Sequence, residues 1–96
     1  MPHQLPLIPA DDNTPCEAGI FELSAGGWLI FQRRKCRNMA VAYRWIKSRT
    51  DNLQARHPEI RFRASAVKLT GWLTLDAVLA DYEAKRKTGD PEYGAL

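Results

Sequence analysis

Between Asn38 and Arg56 the apolar positions recur at helical spacing. Met39, Ala42, Tyr43, Ile46, Thr50 and Leu53 fall within about 100° of one another when wound at the helical period, which predicts one packed stripe. The helix is expected over Arg37 to His57, and Pro58 ends it because a residue before proline is driven out of the helical region. Trp45 does not join the stripe; it lies on the flank with Arg49 and Arg56, while Arg44 and Lys47 take the far side. A second helix is marked at both ends. Thr74 is placed to cap it, Asp76 suits its positive end, Leu75, Val78, Leu79 and Tyr82 form its apolar stripe, and Lys85-Arg86-Lys87 before Gly89 close it.

The remaining apolar residues follow a strand period. Ile20 to Leu23 and Trp28 to Phe31 are β-prone runs separated by Ser24-Ala25-Gly26-Gly27, the pattern of a hairpin. The alternative is a short helix that Leu23-Ser24 opens, with Ser24 as its cap, and that runs to Arg34; two glycines in its first turns would cost about 1 kcal/mol each relative to alanine. Further on, Ile60, Phe62 and Ala64 alternate with Arg61, Arg63 and Ser65, which predicts a half-buried strand with an outward basic face. Val67, Leu69 and Gly71 continue the alternation shifted by one residue, so a bulge or tight turn is expected near Ser65-Ala66. The expected fold is α+β, a small single domain with antiparallel β-strands packed on one long central helix and a second C-terminal helix; the alternative is a winged helix. Residues 1–14 are expected to be an extended Pro-rich N-terminal arm, 15–89 the domain, and 90–96 a flexible C-terminal tail.

Composition narrows the function classes. The chain has 96 residues, enough for one modest core and not for two. No uninterrupted apolar run, Trp28 to Phe31 among them, approaches the roughly 20 residues that cross a bilayer. The proline-rich start has neither the charged opening nor the apolar core of a secretory signal, so a cytoplasmic protein is expected. Cys16 and Cys36 are too widely spaced for a zinc or redox motif, and two thiols are expected rather than a disulfide. No metal, cofactor or small-molecule substrate is expected. His3 and His57 have no carboxylate spaced to orient them, and Gly26-Gly27 lacks the Lys-Ser/Thr of a nucleotide loop, so no catalytic residues are assigned. Trp28 and Trp72 are expected in the core; Trp45 is balanced between core and surface.

Charge gives the strongest functional sign. Arg33 to Lys68 holds eleven of the fourteen Lys and Arg residues and only two acids, Asp51 and Glu59, between two acidic ends. Arg33-Arg34-Lys35-Cys36-Arg37 is expected to precede the long helix, where positive charge opposes the helix dipole and favours a neutralising polyanion. Arg33, Arg34, Arg37, Arg44, Lys47, Arg61, Arg63 and Lys68 are therefore the candidate nucleic-acid contacts. The expected function is a non-enzymatic DNA-binding accessory protein whose partner is duplex DNA. The competing expectation is a small adaptor or inhibitor docking on an acidic surface of a protein partner, because such a groove attracts the same arginines. An RNA-binding module ranks lower, since no aromatic strand motif is evident.

One set of residues resembles a known family. Leu23-Ser24, Trp28, Gln32-Arg33-Arg34, Arg37-Asn38-Met39, Arg44-Trp45-Ile46-Lys47, Glu59, Phe62 and Ser65-Ala66-Val67-Lys68 fall in the order seen in lambda-type phage excisionases, a likeness covering about half the chain. The resemblance implies a winged-helix architectural protein of a phage or mobile element that bends DNA beside an integrase. Asn38 to Lys47 would then match the recognition helix, with Arg37, Arg44 and Lys47 on DNA, and Arg61 to Lys68 the outer wing. The C-terminal helix would meet a protein partner. Tyr43 stands where the family pattern has an arginine, Arg56 to Glu59 lacks the glycine of the wing turn, and Gly26-Gly27 suits a hairpin better than the family's first helix.

Overall fold

The computed structural model describes residues 13–93. The expected N-terminal arm lies almost wholly outside them. Three strands form one antiparallel sheet: β1 (Cys16–Ser24), β2 (Gly27–Cys36) and β3 (Phe62–Lys68). β1 is central, in the order β2-β1-β3, so β2 and β3 run parallel to each other at the two edges. Helix α1 (Met39–Arg56) connects β2 to β3 and α2 (Leu75–Lys87) follows β3. The fold is small α+β, as the pattern implies.

The hairpin forms because Gly27 can adopt φ +121°, a region that favours glycine. The Ser24 hydroxyl donates to the Gly27 carbonyl at 2.9 Å and closes the turn. Leu23 to Arg34 is therefore strand, turn and strand, and the alternative helix over that stretch is not formed. The winged-helix arrangement requires a helix there and is not the architecture observed.

The two helices lie on opposite faces of the sheet. On one face Cys16, Ala18, Cys36 and Ala42 form a buried cluster with Met39, Val41, Trp45, Ile46 and Ala66 packed around it. On the other, Phe21, Trp28, Val67, Leu75 and Tyr82 form a second cluster, extended by Leu23, Ile30, Val78, Leu79 and Tyr93. Small residues of β1 admit the close approach. A Cβ on Gly19 would meet Leu75 Cδ1 at 2.8 Å, so α2 seats its first apolar residue directly over bare backbone. Cys16 and Cys36 are cross-strand partners; both are buried and no disulfide joins them.

Two-sided cover explains several departures from the sequence pattern. In β3, Ala66 packs under α1 and Val67 under α2, so the strand runs unbroken from Phe62 to Lys68 and needs no bulge at Ser65-Ala66. The sheet's register shift lies between Ile20 and Phe21 instead, where β2 carries Phe31 as an extra residue. Tyr43, placed in the α1 stripe by spacing, is 46% exposed, while Ala42 and Leu53 are buried.

The helix boundaries follow their caps. Asn38 Oδ1 accepts the Val41 N–H at 2.9 Å, and Thr74 Oγ1 accepts that of Ala77 at 3.1 Å. Gln54 Nε2 donates to the carbonyls of His57 and Ile60 and ties the turn after α1. The expected flexible tail starts otherwise: Pro91–Tyr93 forms a 3-10 turn that packs on α2, and the Trp28 indole N–H donates to the Tyr93 carbonyl at 2.7 Å.

Candidate nucleic-acid interface

Strand parity assigns each charged side chain to one face of the sheet. Cross-strand partners share a face, so Arg34, paired with Ala18, lies on the α1 side and Arg33, paired with Gly19, on the α2 side. Arg61 and Arg63 lie on the α2 side, where their guanidinium groups donate to the Glu92 carbonyl at 3.0 and 3.2 Å. Lys68, paired with Cys16, is at the end of β3 on the α1 side.

Counted over the described residues, the resulting distribution is uneven. The α1 side, with its flanking turns, carries Arg34, Arg37, Arg44, Lys47, Arg49, Arg56 and Lys68 against three carboxylates, Glu22, Asp51 and Glu59. The α2 side carries Arg33, Lys35, Arg61, Arg63, Lys85, Arg86 and Lys87 against six, Glu17, Asp76, Asp81, Glu83, Asp90 and Glu92. The sheet therefore separates a cationic layer from a nearly balanced one.

The expected contacts divide along this line. Arg33 is bound to Glu17, Nε to Oε2 at 3.2 Å, and this ion pair raises its pKa further above the ordinary arginine value. Arg63 lies half-buried, its guanidinium carbon 5.2 Å from the Tyr82 ring centre and 4.2 Å from that of Tyr93. Its Nε is buried with no hydrogen-bond partner among the described residues. Arg61 donates as well to the Pro91 carbonyl at 3.5 Å. The outward basic face expected for β3 is thus partly covered, with Arg63 half-buried and Arg61 still exposed, because α2 and the C-terminal turn lie over the side of the sheet that a two-layer fold would leave open. Among the described residues, Arg61 and Arg63 both fasten the C-terminal turn to β3, Arg61 while remaining exposed.

The remaining candidates meet on the α1 side. Arg34 stacks over Trp45, 5.8 Å from the ring centre, and Arg49 donates from Nε to Gln32 Oε1 at 2.8 Å, so β2 and the flank of α1 form one basic and aromatic wall. Trp45 is half-buried in it. Arg44 lies on the exposed outer face of α1, and Lys47 nearby pairs with Asp51 at 3.0 Å. That pair is exposed at both ends and contributes little to stability. Arg33, Arg34 and Lys35 belong to β2 and not to a loop before the helix, so only Arg37 stands against the α1 dipole. No ion pair holds Arg34, Arg37, Arg44 or Lys68 among the described residues.

Other chemistry is sparse. Among the described residues no cluster of three or more His, Cys, Asp or Glu could hold a metal, and no helix is long and apolar enough to cross a membrane. His57 approaches only Glu59, at 4.0 Å. Glu83 of α2 turns inward: it accepts the Trp28 N–H at 3.0 Å and pairs with Arg86 at 2.7 Å. These contacts hold its pKa below the ordinary glutamate value despite partial burial.

Trp72 departs furthest from expectation. It is 95% exposed, flanked by Leu69 at 44% and Leu73 at 49%. These residues follow β3 in a turn where Gly71 N–H donates to the Lys68 carbonyl at 3.1 Å, and Trp72 walls a groove of about 300 Å³ with Met39, Ala66, Val67, Lys68, Gly71 and Leu73. The readable signal was its position: Thr70-Gly71 before it and the Thr74 cap after it leave no regular element to bury it.

No family model, curated protein or solved structure matches the chain.

Proposed function

We propose that the domain is a non-enzymatic DNA-binding accessory protein that holds the phosphate backbone of duplex DNA against its α1 side. The observation that carries the reading is the separation of charge across the sheet, with seven cations facing three carboxylates on that side among the described residues. Several guanidinium and ammonium groups on adjoining elements that have no ion pair among the described residues favour a polyanion, since each phosphate they neutralise releases a condensed counterion. Arg34, Arg37, Arg44 and Lys68 are the contacts we assign. Lys47 joins them when its exposed partner Asp51 releases it. Arg33, Arg61 and Arg63 are left out because their charge is engaged on the other face.

Titration of a fluorescent duplex over a range of salt tests the reading. Four phosphate contacts predict a log–log salt slope of about −3 to −4. A slope near zero, or no binding at low salt, would contradict it and favour docking on an acidic protein surface, which does not require the release of several condensed counterions.

A further inference from the structure

Trp72 costs free energy where it stands, since an indole in water forfeits most of what its burial would contribute. Three observations surround it. Its side chain is 95% exposed, with a glycine on one side and a helix cap one residue beyond Leu73. It walls a shallow apolar groove, floored by Met39, Ala66 and Val67, in which Lys68 is the only charged lining residue among the described residues. And the groove lies at the end of the sheet where Cys36, Cys16 and Lys68 stand in one cross-strand row, so Cys36 is about two strand spacings, roughly 10 Å, from Lys68, and exposed Arg37 is the next residue along the chain.

A flat, exposed aromatic beside two cations that no ion pair holds among the described residues matches one kind of occupant better than others. An apolar peptide would fill the groove, but would leave Lys68 and Arg37 facing it without counter-charge. A nucleotide supplies both complements, a π-face for the indole and phosphates on either side of it. We infer that Trp72 stacks on an unpaired base, with the flanking phosphates held by Lys68 and Arg37, so that the nucleic acid this domain engages carries a single-stranded segment. The inference rests on the DNA-binding reading and narrows it to a class of target. The β3–α2 turn is then a stacking platform at the margin of the α1-side surface.

Three probes test it with the full chain: a blunt duplex, the same duplex with a short oligothymidine tail, and the tail alone. The tail is expected to tighten binding by about fivefold or more, as base–aromatic stacking is worth at least ~1 kcal/mol per base, and to quench Trp72 emission. Trp72→Ala is expected to abolish the gain and Trp72→Phe to retain part of it, both leaving blunt-duplex affinity and the melting temperature unchanged. A tail that adds nothing, or a gain that survives Trp72→Ala, overturns the inference while leaving the duplex reading intact. Failure of the blunt duplex alone to bind overturns that reading instead, and the stacking assignment stands if the isolated tail still quenches Trp72. An indole already shielded from acrylamide in the protein alone overturns the inference too, because an apolar segment then occupies its face.

Discussion

Arg63 lies against Tyr93, its guanidinium carbon 4.2 Å from the ring centre, while its Nη1 donates to the carbonyl of Glu92 at 3.2 Å. The contact joins an edge strand to the last described turn of the chain, and Arg61 repeats it one pleat away through the carbonyls of Pro91 and Glu92. Two arginines that read as surface charge are in this way spent on holding the C-terminal turn over the α2 side of the sheet.

Changing Arg61 and Arg63 together to alanine is therefore expected to destabilise the fold and to leave duplex affinity nearly unchanged. Loss of the stacking and of the charge-assisted bonds predicts a cost of about 1–3 kcal/mol, partly offset because the unpartnered Arg63 Nε disappears with the side chain. Urea unfolding monitored by Trp28, whose indole donates to Tyr93 in the same turn, measures it. An unchanged unfolding midpoint with weakened duplex binding would reverse the assignment.

Glu83 sets the acid limb of stability. Its pKa is held down first by the hydrogen bond from Arg86 and, more weakly, by the Trp28 backbone N–H, against an opposing contribution from burial. A carboxylate depressed in the folded state contributes stability that is fully present above the unfolded pKa, about 4.3, and is lost as pH falls through the folded value. Stability is thus expected to decline below about pH 5, and Glu83→Gln is expected to flatten that decline while lowering stability at neutral pH. Urea midpoints for both proteins between about pH 3 and pH 7 give the comparison; parallel curves would remove Glu83 from the account. Gly27 shares in the arrangement, since a Cβ there would collide with the Glu83 carboxylate.

Much of the framework was legible in the sequence because local signals agreed with tertiary need. Thr74, the Leu75-Val78-Leu79-Tyr82 stripe and Gly89 bound α2 unambiguously, and Gly26-Gly27 between β-prone runs marked the hairpin. What could not be read was the number of layers. Alternation in β3 shows that one set of side chains is buried, and Arg61 and Arg63 were assigned to solvent by their polarity. That inference fails when a second helix covers the other face and supplies aromatic rings and carbonyls that accommodate guanidinium groups. The same missing layer produced the expectation of a bulge at Ser65-Ala66. Trp72 was misplaced for a related reason: neighbouring Leu69 and Leu73 suggested a core, yet all three fall in the turn that carries the chain past the sheet's end. The candidate site was half legible. Arg34, Arg37, Arg44 and Lys68 fall on the cationic side, whereas Arg33, one residue from Arg34, falls on the other because neighbouring strand residues point to opposite faces.

Matched charge reversals on the two layers test the account most directly. Arg44 on the outer face of α1 and Lys87 in the last turn of α2 are both exposed, and Arg44→Glu and Lys87→Glu change the net charge equally. Titrating both variants against the same duplex at one low salt concentration, Arg44→Glu is predicted to weaken binding by about tenfold or more and Lys87→Glu by less than about threefold. Equal losses from the two would show that only net charge matters and would contradict an interface confined to the α1 side.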